Sequence, residues 1–159
     1  MTVRTVNSEK RADDVTITAL RGAVGMIMAV HGALKLMDVS GTIQGFADLG
    51  IPYPGYAVYL AIAGELLGGT GLFLGLLTRV AALGTLSSMA VAIGYAHFGH
   101  GLLAKNGGWE YPLVLGLTSL FFITHGAGPA SLDALFTRKY RERGSRERGY
   151  RDHRVRSYA

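Results

Sequence analysis

Five ionisable side chains interrupt otherwise apolar stretches of the chain: His31, Lys35, Glu65, His97 and Glu110. Titratable groups are costly inside a membrane, so they usually face the interior of a helix bundle, where they pair or bind a ligand. A carboxylate beside a lysine can form an ion pair or handle protons, and histidines can anchor or ligate a bound group. These residue types predict a polar binding site within an apolar region.

Each of these groups also has a structural interpretation. Glu65 and Lys35 form either an ion pair that fixes the bundle or a ligand- and proton-handling site, and Glu110 is an alternative partner for Lys35. For His31 and His97 the sequence leaves open interhelical hydrogen bonds, an anchor for a quinone headgroup, and axial ligation of a haem or metal. We assign no catalytic residue and no metal ligand, and the sequence does not decide whether the protein is an enzyme.

Helical spacing places several polar groups on shared faces. Arg21, Met28 and Lys35 are seven residues apart, and His31 falls within the same arc. Arg21 and His125 lie toward the ends of their predicted helices that are farther from Lys35 and His97. We interpret them as snorkelling or capping groups.

The distribution of charge predicts where these helices lie. Residues 1–21 hold seven charged side chains and residues 133–159 hold thirteen, whereas the 111 residues between them hold only seven. A soluble domain carries roughly a quarter charged residues, so the middle of the chain belongs in a membrane. The absence of cysteine excludes disulfides, thiolate zinc sites and iron–sulfur clusters.

Four segments are long and apolar enough to approach the ~20 residues that an α-helix needs to cross a bilayer. They are residues 15–37, 54–77, 80–98 and 111–126. We therefore predict an all-α fold, an integral membrane four-helix bundle that contacts the lipid bilayer. The second span carries small residues at three- and four-residue steps, which predicts a close helix contact either within the chain or across a homodimer. These residues are Ala57, Ala61, Gly64, Gly68, Gly71 and Gly75.

Basic residues predict the direction of the spans. Arg79 occupies the short turn between the second and third spans, whereas residues 38–53 and 99–110 have turn-forming compositions and carry only Lys105 as a basic residue. Lys and Arg accumulate on the cytoplasmic side, so both termini are expected in the cytoplasm. This predicts a polar N-terminal segment at residues 1–14, a membrane domain at 15–135 and a basic tail at 136–159.

The basic tail has two interpretations. It either fixes the topology as a charged segment or meets anionic lipid headgroups or an acidic protein partner. No zinc-finger spacing or other nucleic-acid module is visible, so binding of nucleic acid is not expected.

Four sequence runs resemble the DoxX family of small bacterial four-span membrane proteins: RGAVGMIMAVHGALKL from Arg21, GELLGGTGLFLGLLTRVAAL from Gly64, KNGGWEYPLVL from Lys105 and GPASLDAL from Gly128. The resemblance covers residues 19–135 and implies a location in the bacterial inner membrane. The family is similar to a membrane subunit of thiosulfate:quinone oxidoreductase, which implies an association with quinone and redox chemistry. The residues that match the family pattern are Arg21, His31, Gly32, Lys35, Glu65, Arg79 and Glu110.

Two functions follow as hypotheses. In the first, the protein is an accessory or quinone-interacting subunit of a membrane-associated oxidoreductase, and His31, Lys35, Glu65, His97 and Glu110 surround the bound quinone. In the second, it is a non-catalytic scaffold that recruits a protein partner through the basic tail. Transport of a small solute or proton is a third class, and four short spans would need to oligomerise for it.

Overall fold

The computed structural model describes residues 3–140, with side chains described from residue 9 onward. Every regular element in this part of the chain is helical, which confirms the all-α prediction. The α-helices are α1 (Val3–Met37), α2 (Val39–Asp48), α3 (Pro54–Ile62), α4 (Gly68–Leu74), α5 (Thr78–Val91) and α6 (Glu110–His125). Residues 132–140 form a further helix, and the predicted tail from residue 141 lies outside the described residues.

Three continuous helices are long and apolar enough to cross a membrane: Glu9–Met37, Pro54–Leu74 and Thr78–His100. They coincide with the first three predicted spans. The fourth predicted span corresponds to α6, whose 16 residues rise only about 24 Å along the helix axis. The fourth crossing and the cytoplasmic position of the termini therefore stay predictions.

Two local predictions are wrong. Arg79 was expected in the turn between the second and third spans, but this turn lies at residues 75–77 and Arg79 belongs to the first turn of α5. Residues 38–53 were expected to form a turn-rich loop, but residues 39–48 form α2. Asp38 caps the helix, since its Oδ1 accepts a hydrogen bond of 2.9 Å from the Gly41 amide. Val39, Ile43 and Phe46 follow a helical spacing that the glycines and acidic residues of this segment obscured.

Glycines allow the helices to approach backbone to backbone. A Cβ atom on Gly69 would come within 2.7 Å of the Gly25 carbonyl oxygen on α1. A Cβ atom on Gly64 would lie 2.8 Å from the Gly84 carbonyl oxygen on α5, and one on Gly68 would crowd Ala81. The small-residue face of the second span therefore contacts a neighbour within the same chain, as the first of the two interpretations predicted.

This close packing predicts that alanine has opposite effects on stability at two glycines that both lie inside helices. Gly69→Ala is expected to lower the free energy of unfolding by about 1–3 kcal/mol, because the new methyl group must push two backbones apart. Gly22→Ala is the control, since nothing lies within 4 Å of its added Cβ and alanine favours a helix by up to ~1 kcal/mol. Detergent-micelle unfolding curves measure both changes, and equal stability of the two variants would contradict the close contact.

The buried core joins α1, α4, α5 and α6. It contains Val24, Met28, Leu72, Ala81, Ala82, Met89, Leu115 and Phe122. A hydrogen bond of 2.8 Å from Thr85 Oγ1 to Ser119 Oγ links α5 to α6 within this core, and both side chains are fully buried. Interhelical hydrogen bonds between small polar side chains are typical of membrane bundles.

Candidate functional site

The bundle has two ends with different polar groups. The Lys35 end contains Lys35, α2 and the loop at residues 98–109, and the Arg21 end contains Arg21, the turn at residues 75–77 and the segment at 126–133. Of the five residues predicted for a binding site, Lys35, His97 and Glu110 lie at this first end, His31 lies one helical turn before Lys35, and Glu65 lies near the middle of the second span.

Lys35 and Glu65 form an ion pair between α1 and the second span. Lys35 Nζ lies 2.5 Å from Glu65 Oε2, and the side chains are 23% and 6% exposed, respectively. Arg21, Met28 and Lys35 do share a face, since Arg21 and Met28 are buried and Lys35 points to Glu65. The pairing expected from the sequence is thus confirmed, with Glu65 as the partner of Lys35.

Glu65 lies in the middle of a π-helical segment, Ala63–Leu67, that joins α3 to α4. The Gly68 amide donates to the Ala63 carbonyl, which is a five-residue step in place of the usual four. The extra residue changes the helical register. Gly64 and Gly68 face α5, while Glu65 faces Lys35 on α1. Such segments often occur at functional sites, and the sequence carried no signal for this one.

His31 occupies a different position from the ion pair. It lies on α1 one helical turn before Lys35, and its side chain is exposed at the surface of the described bundle. The ring has no contact with the Lys35–Glu65 pair among the hydrogen bonds of the described residues. Its predicted part in ligand binding stays a prediction.

His97 and Glu110 hold the loop that connects α5 to α6. His97 Nδ1 lies 2.7 Å from the Gly107 carbonyl oxygen, and Glu110 Oε1 accepts a 2.6 Å hydrogen bond from the Ala104 amide. A carbonyl oxygen only accepts, so Nδ1 carries the proton and Nε2 of the neutral ring is an acceptor. His97 also ends a second π-helical segment, Ala92–His97. Glu110 is therefore engaged with the loop and is not the partner of Lys35.

Arg21 dominates the opposite end of the bundle. Its Nη1 donates to the carbonyls of Leu72 (2.5 Å) and Phe73 (2.8 Å), and its Nη2 donates to the Ala130 carbonyl at 2.7 Å. Only 2% of Arg21 is exposed, so the snorkelling interpretation is wrong and the capping interpretation is correct. The guanidinium donates hydrogen bonds to carbonyls at the end of α4, where the Leu72 carbonyl also accepts a hydrogen bond of 3.1 Å from the Gly75 amide.

Asp133 completes this arrangement, and sequence reasoning missed it. Its carboxylate accepts hydrogen bonds from the amides of Leu77 (2.8 Å) and Thr78 (3.0 Å), at the start of α5, and its own amide donates to the Gly75 carbonyl at 2.9 Å. The residue caps a helix that precedes it by more than fifty positions, so no local pattern indicates the contact. Arg21 and Asp133 together attach residues 126–133 to the turn between α4 and α5.

The hydrogen bonds of Asp133 predict a dependence of stability on pH. Burial alone would raise the pKa of this carboxyl, but the bonds from Thr78 and Leu77 and the charge of Arg21 outweigh burial and lower the pKa below its ordinary value. The stabilisation is therefore complete above the pKa of the unfolded chain and is lost as the pH falls through the lowered folded value.

Asp133→Asn is expected to remove this part of the pH dependence and to lower the free energy of unfolding at neutral pH by about 0.5–2 kcal/mol, as for other lost helix caps. Asp13→Asn, at an exposed position of α1, is the control. Chemical unfolding between pH 3 and 7 measures the difference. An unchanged slope in the Asp133 variant would show that the cap contributes nothing to acid sensitivity.

Helices of membrane-spanning length, glycine-mediated packing and an ion pair between two of these helices define this chain as a multi-pass helical membrane protein. The family model for DoxX matches residues 16–98, slightly more than half of the chain. The chain belongs to the DoxX family and is a multi-pass protein of the inner membrane.

Three relatives illustrate the similarity. The Escherichia coli "Inner membrane protein YphA" is 30% identical over 131 residues, 77% of this chain and 91% of that protein. An uncharacterized Haemophilus influenzae protein is 35% identical over 125 residues, which cover 76% of this chain and 90% of the relative.

The Bacillus subtilis protein named "Putative oxidoreductase CatD" is 43% identical over 61 residues, 38% of this chain. The match spans 44% of the Bacillus protein, less than half of its length. No solved structure matches the chain.

Proposed function

We propose that the protein is an accessory subunit of a membrane-associated oxidoreductase system and binds the headgroup of a quinone at the Lys35 end. The observation that carries the proposal is the Lys35–Glu65 ion pair, because Glu65 is 4% exposed and lies in a π-helical segment about 16 Å along the helix from Pro54. An ionised pair at this depth is costly, so it usually has a binding or structural role. The name of the CatD relative supports the redox class.

The proposed chemistry assigns different roles to the polar groups. Reduction of a quinone to a quinol takes two electrons and two protons. The chain contains no cysteine and no recognisable flavin or dinucleotide fingerprint, so the electrons come from a partner protein. Lys35 donates a hydrogen bond to a quinone oxygen when the headgroup separates it from Glu65, and Glu65 transfers protons.

The two histidines flank this position in the proposal. An exposed His31 ring contacts a headgroup that enters from the lipid. Because Nδ1 of His97 is engaged by Gly107, the neutral ring accepts a hydrogen bond from the quinol, and only the doubly protonated ring donates one to the quinone. Glu110 contributes indirectly in the proposal, because its hydrogen bond with the Ala104 amide holds the loop whose Gly107 carbonyl engages His97.

Quinone binding is testable with the purified protein. We expect quinone in its lipid extract and a rise in thermal stability on addition of a short-chain ubiquinone or menaquinone analogue. The double variant Lys35→Met/Glu65→Leu removes both charges together and is expected to weaken binding of the analogue at least ~10-fold. Absence of quinone from the extract, together with no stabilisation by either analogue, would reject the proposal.

A membrane scaffold is the second candidate. It is supported by the fact that Lys35, Glu65, His97 and Glu110 each have a partner within the chain, as purely structural groups would. In this case a partner protein binds the basic tail, and the partner leaves the membrane when residues 138–159 are deleted. A partner that stays on the membrane after this deletion would exclude recruitment by the tail.

A further inference from the structure

The helix at residues 132–140 presents an apolar face away from the bundle. Leu135 is 60% exposed, Phe136 62% and Tyr140 85%. With Leu132 and Lys139 they follow the spacing i, i+3, i+4, i+7 and i+8, which places them on one arc of the helix. A soluble protein rarely leaves neighbouring large apolar side chains unpaired on a short helix.

The position of this helix indicates what covers that face. Asp133 is bonded to the Gly75 carbonyl and to the amides of Leu77 and Thr78, in the turn between two membrane-spanning helices. The start of helix 132–140 is thereby held where those two spans leave the hydrocarbon. Its apolar arc therefore begins next to the end of the two spans.

The charges beside the apolar arc have one sign. Lys139 lies within the arc and Arg138 flanks it, and both are exposed. Arg79 follows Thr78 directly and adds an exposed positive charge beside the anchor of the helix, with Nη2 3.4 Å from the Thr124 carbonyl. The only acid among residues 126–140 is Asp133, and both of its carboxylate oxygens are engaged by backbone amides.

We propose that helix 132–140 lies in the membrane interface, with Leu135 and Phe136 inserted among the lipids and Arg138, Lys139 and Arg79 bound to anionic phospholipid headgroups. Amphipathic helices with basic residues beside a large apolar face lie in this plane. Long basic side chains extend from the apolar boundary to the phosphates. The anchor through Arg21 and Asp133 holds the helix at the depth at which both contacts form at once.

The interface location predicts a property of this helix that a solvent-facing helix lacks. Each basic residue near an anionic surface contributes about five-fold in lipid preference (~1 kcal/mol). Arg138 and Lys139 together are therefore expected to enrich phosphatidylglycerol over phosphatidylcholine beside the helix, and the preference is expected to fall as salt is raised.

A tryptophan placed at position 135 reports on this contact. In the full-length chain, Trp109→Phe removes the only native tryptophan and Leu135→Trp introduces the probe. The protein is reconstituted in phosphatidylcholine vesicles containing a fixed fraction of brominated phosphatidylglycerol or, separately, the same fraction of brominated phosphatidylcholine. We expect blue-shifted emission and at least ~2-fold stronger quenching by the brominated phosphatidylglycerol.

Two further variants in the same background distinguish lipid binding from its alternatives. Arg138→Ala/Lys139→Ala is expected to reduce the excess quenching by brominated phosphatidylglycerol and retain the blue-shifted emission, because only Arg79 of the three basic residues remains, while Lys105→Ala, at the Lys35 end, leaves the difference unchanged. Equal quenching before these changes overturns the headgroup preference. Emission typical of water with no quenching by either lipid overturns the interface location and favours an acidic protein as the partner of this face. None of these outcomes depends on quinone binding.

Discussion

Arg21→Met is expected to lower the free energy of unfolding by about 3–5 kcal/mol, the largest loss from a single substitution at the Arg21 end. The guanidinium makes three hydrogen bonds to carbonyls on two different segments, and methionine fills similar space without a donor. The Phe73 and Ala130 carbonyls would lose this donor, and each unpaired polar group in a region with little water costs on the order of 1–3 kcal/mol, whereas the Leu72 carbonyl would keep its hydrogen bond from the Gly75 amide. The Asp133 carboxylate would also lose its neighbouring positive charge.

A denaturant or SDS titration of the purified protein measures this loss. Arg11→Met provides the control, since Arg11 is exposed on the polar part of the same helix. We also expect easier proteolysis between residues 126 and 133 in the Arg21 variant, because its anchor to the bundle is broken. A loss below ~1 kcal/mol would mean that other groups or lipid headgroups replace the guanidinium.

The Lys35–Glu65 pair is expected to show strong non-additivity. Lys35→Met leaves the buried Glu65 carboxylate alone and should cost about 3–5 kcal/mol, the usual effect of breaking a buried pair. Glu65→Leu should cost less, about 2 kcal/mol, because the 23%-exposed lysine side chain can extend toward the bilayer boundary. The double variant should return close to the stability of the parent, since two apolar side chains replace two charges.

This double-mutant cycle also separates structural from functional roles. The comparison requires unfolding curves for four proteins, and the coupling term is the difference between the double variant and the sum of the singles. A folded double variant that no longer binds a quinone analogue supports a ligand site. One that retains all binding, with the stability pattern intact, assigns the pair to the architecture alone. Additive losses in the cycle would contradict the pairing itself.

The amino-acid sequence by itself determined the membrane class and much of the local structure. The near absence of charge between residues 22 and 132 and the lengths of the apolar runs are sufficient, because the bilayer requires continuous apolar helices. The shared face of Arg21, Met28 and Lys35 also followed from helical spacing. Turn composition was less reliable, since the capping by Asp38 converts a glycine-containing loop into α2.

Only the tertiary structure decided which polar groups meet. The π-helical segment directs Glu65 toward Lys35, whereas His97 and Glu110 bind the backbone of their own loop and His31 remains on the surface. Asp133 caps α5 from a position far along the chain, and Arg21 binds segments that are 51 and 109 residues away. Sequence spacing reports the faces of single helices, but contacts between helices depend on their relative rotation and depth. A register change of one residue alters both the rotation and the depth of the residues that follow it, and the amino-acid composition does not indicate where such a change occurs.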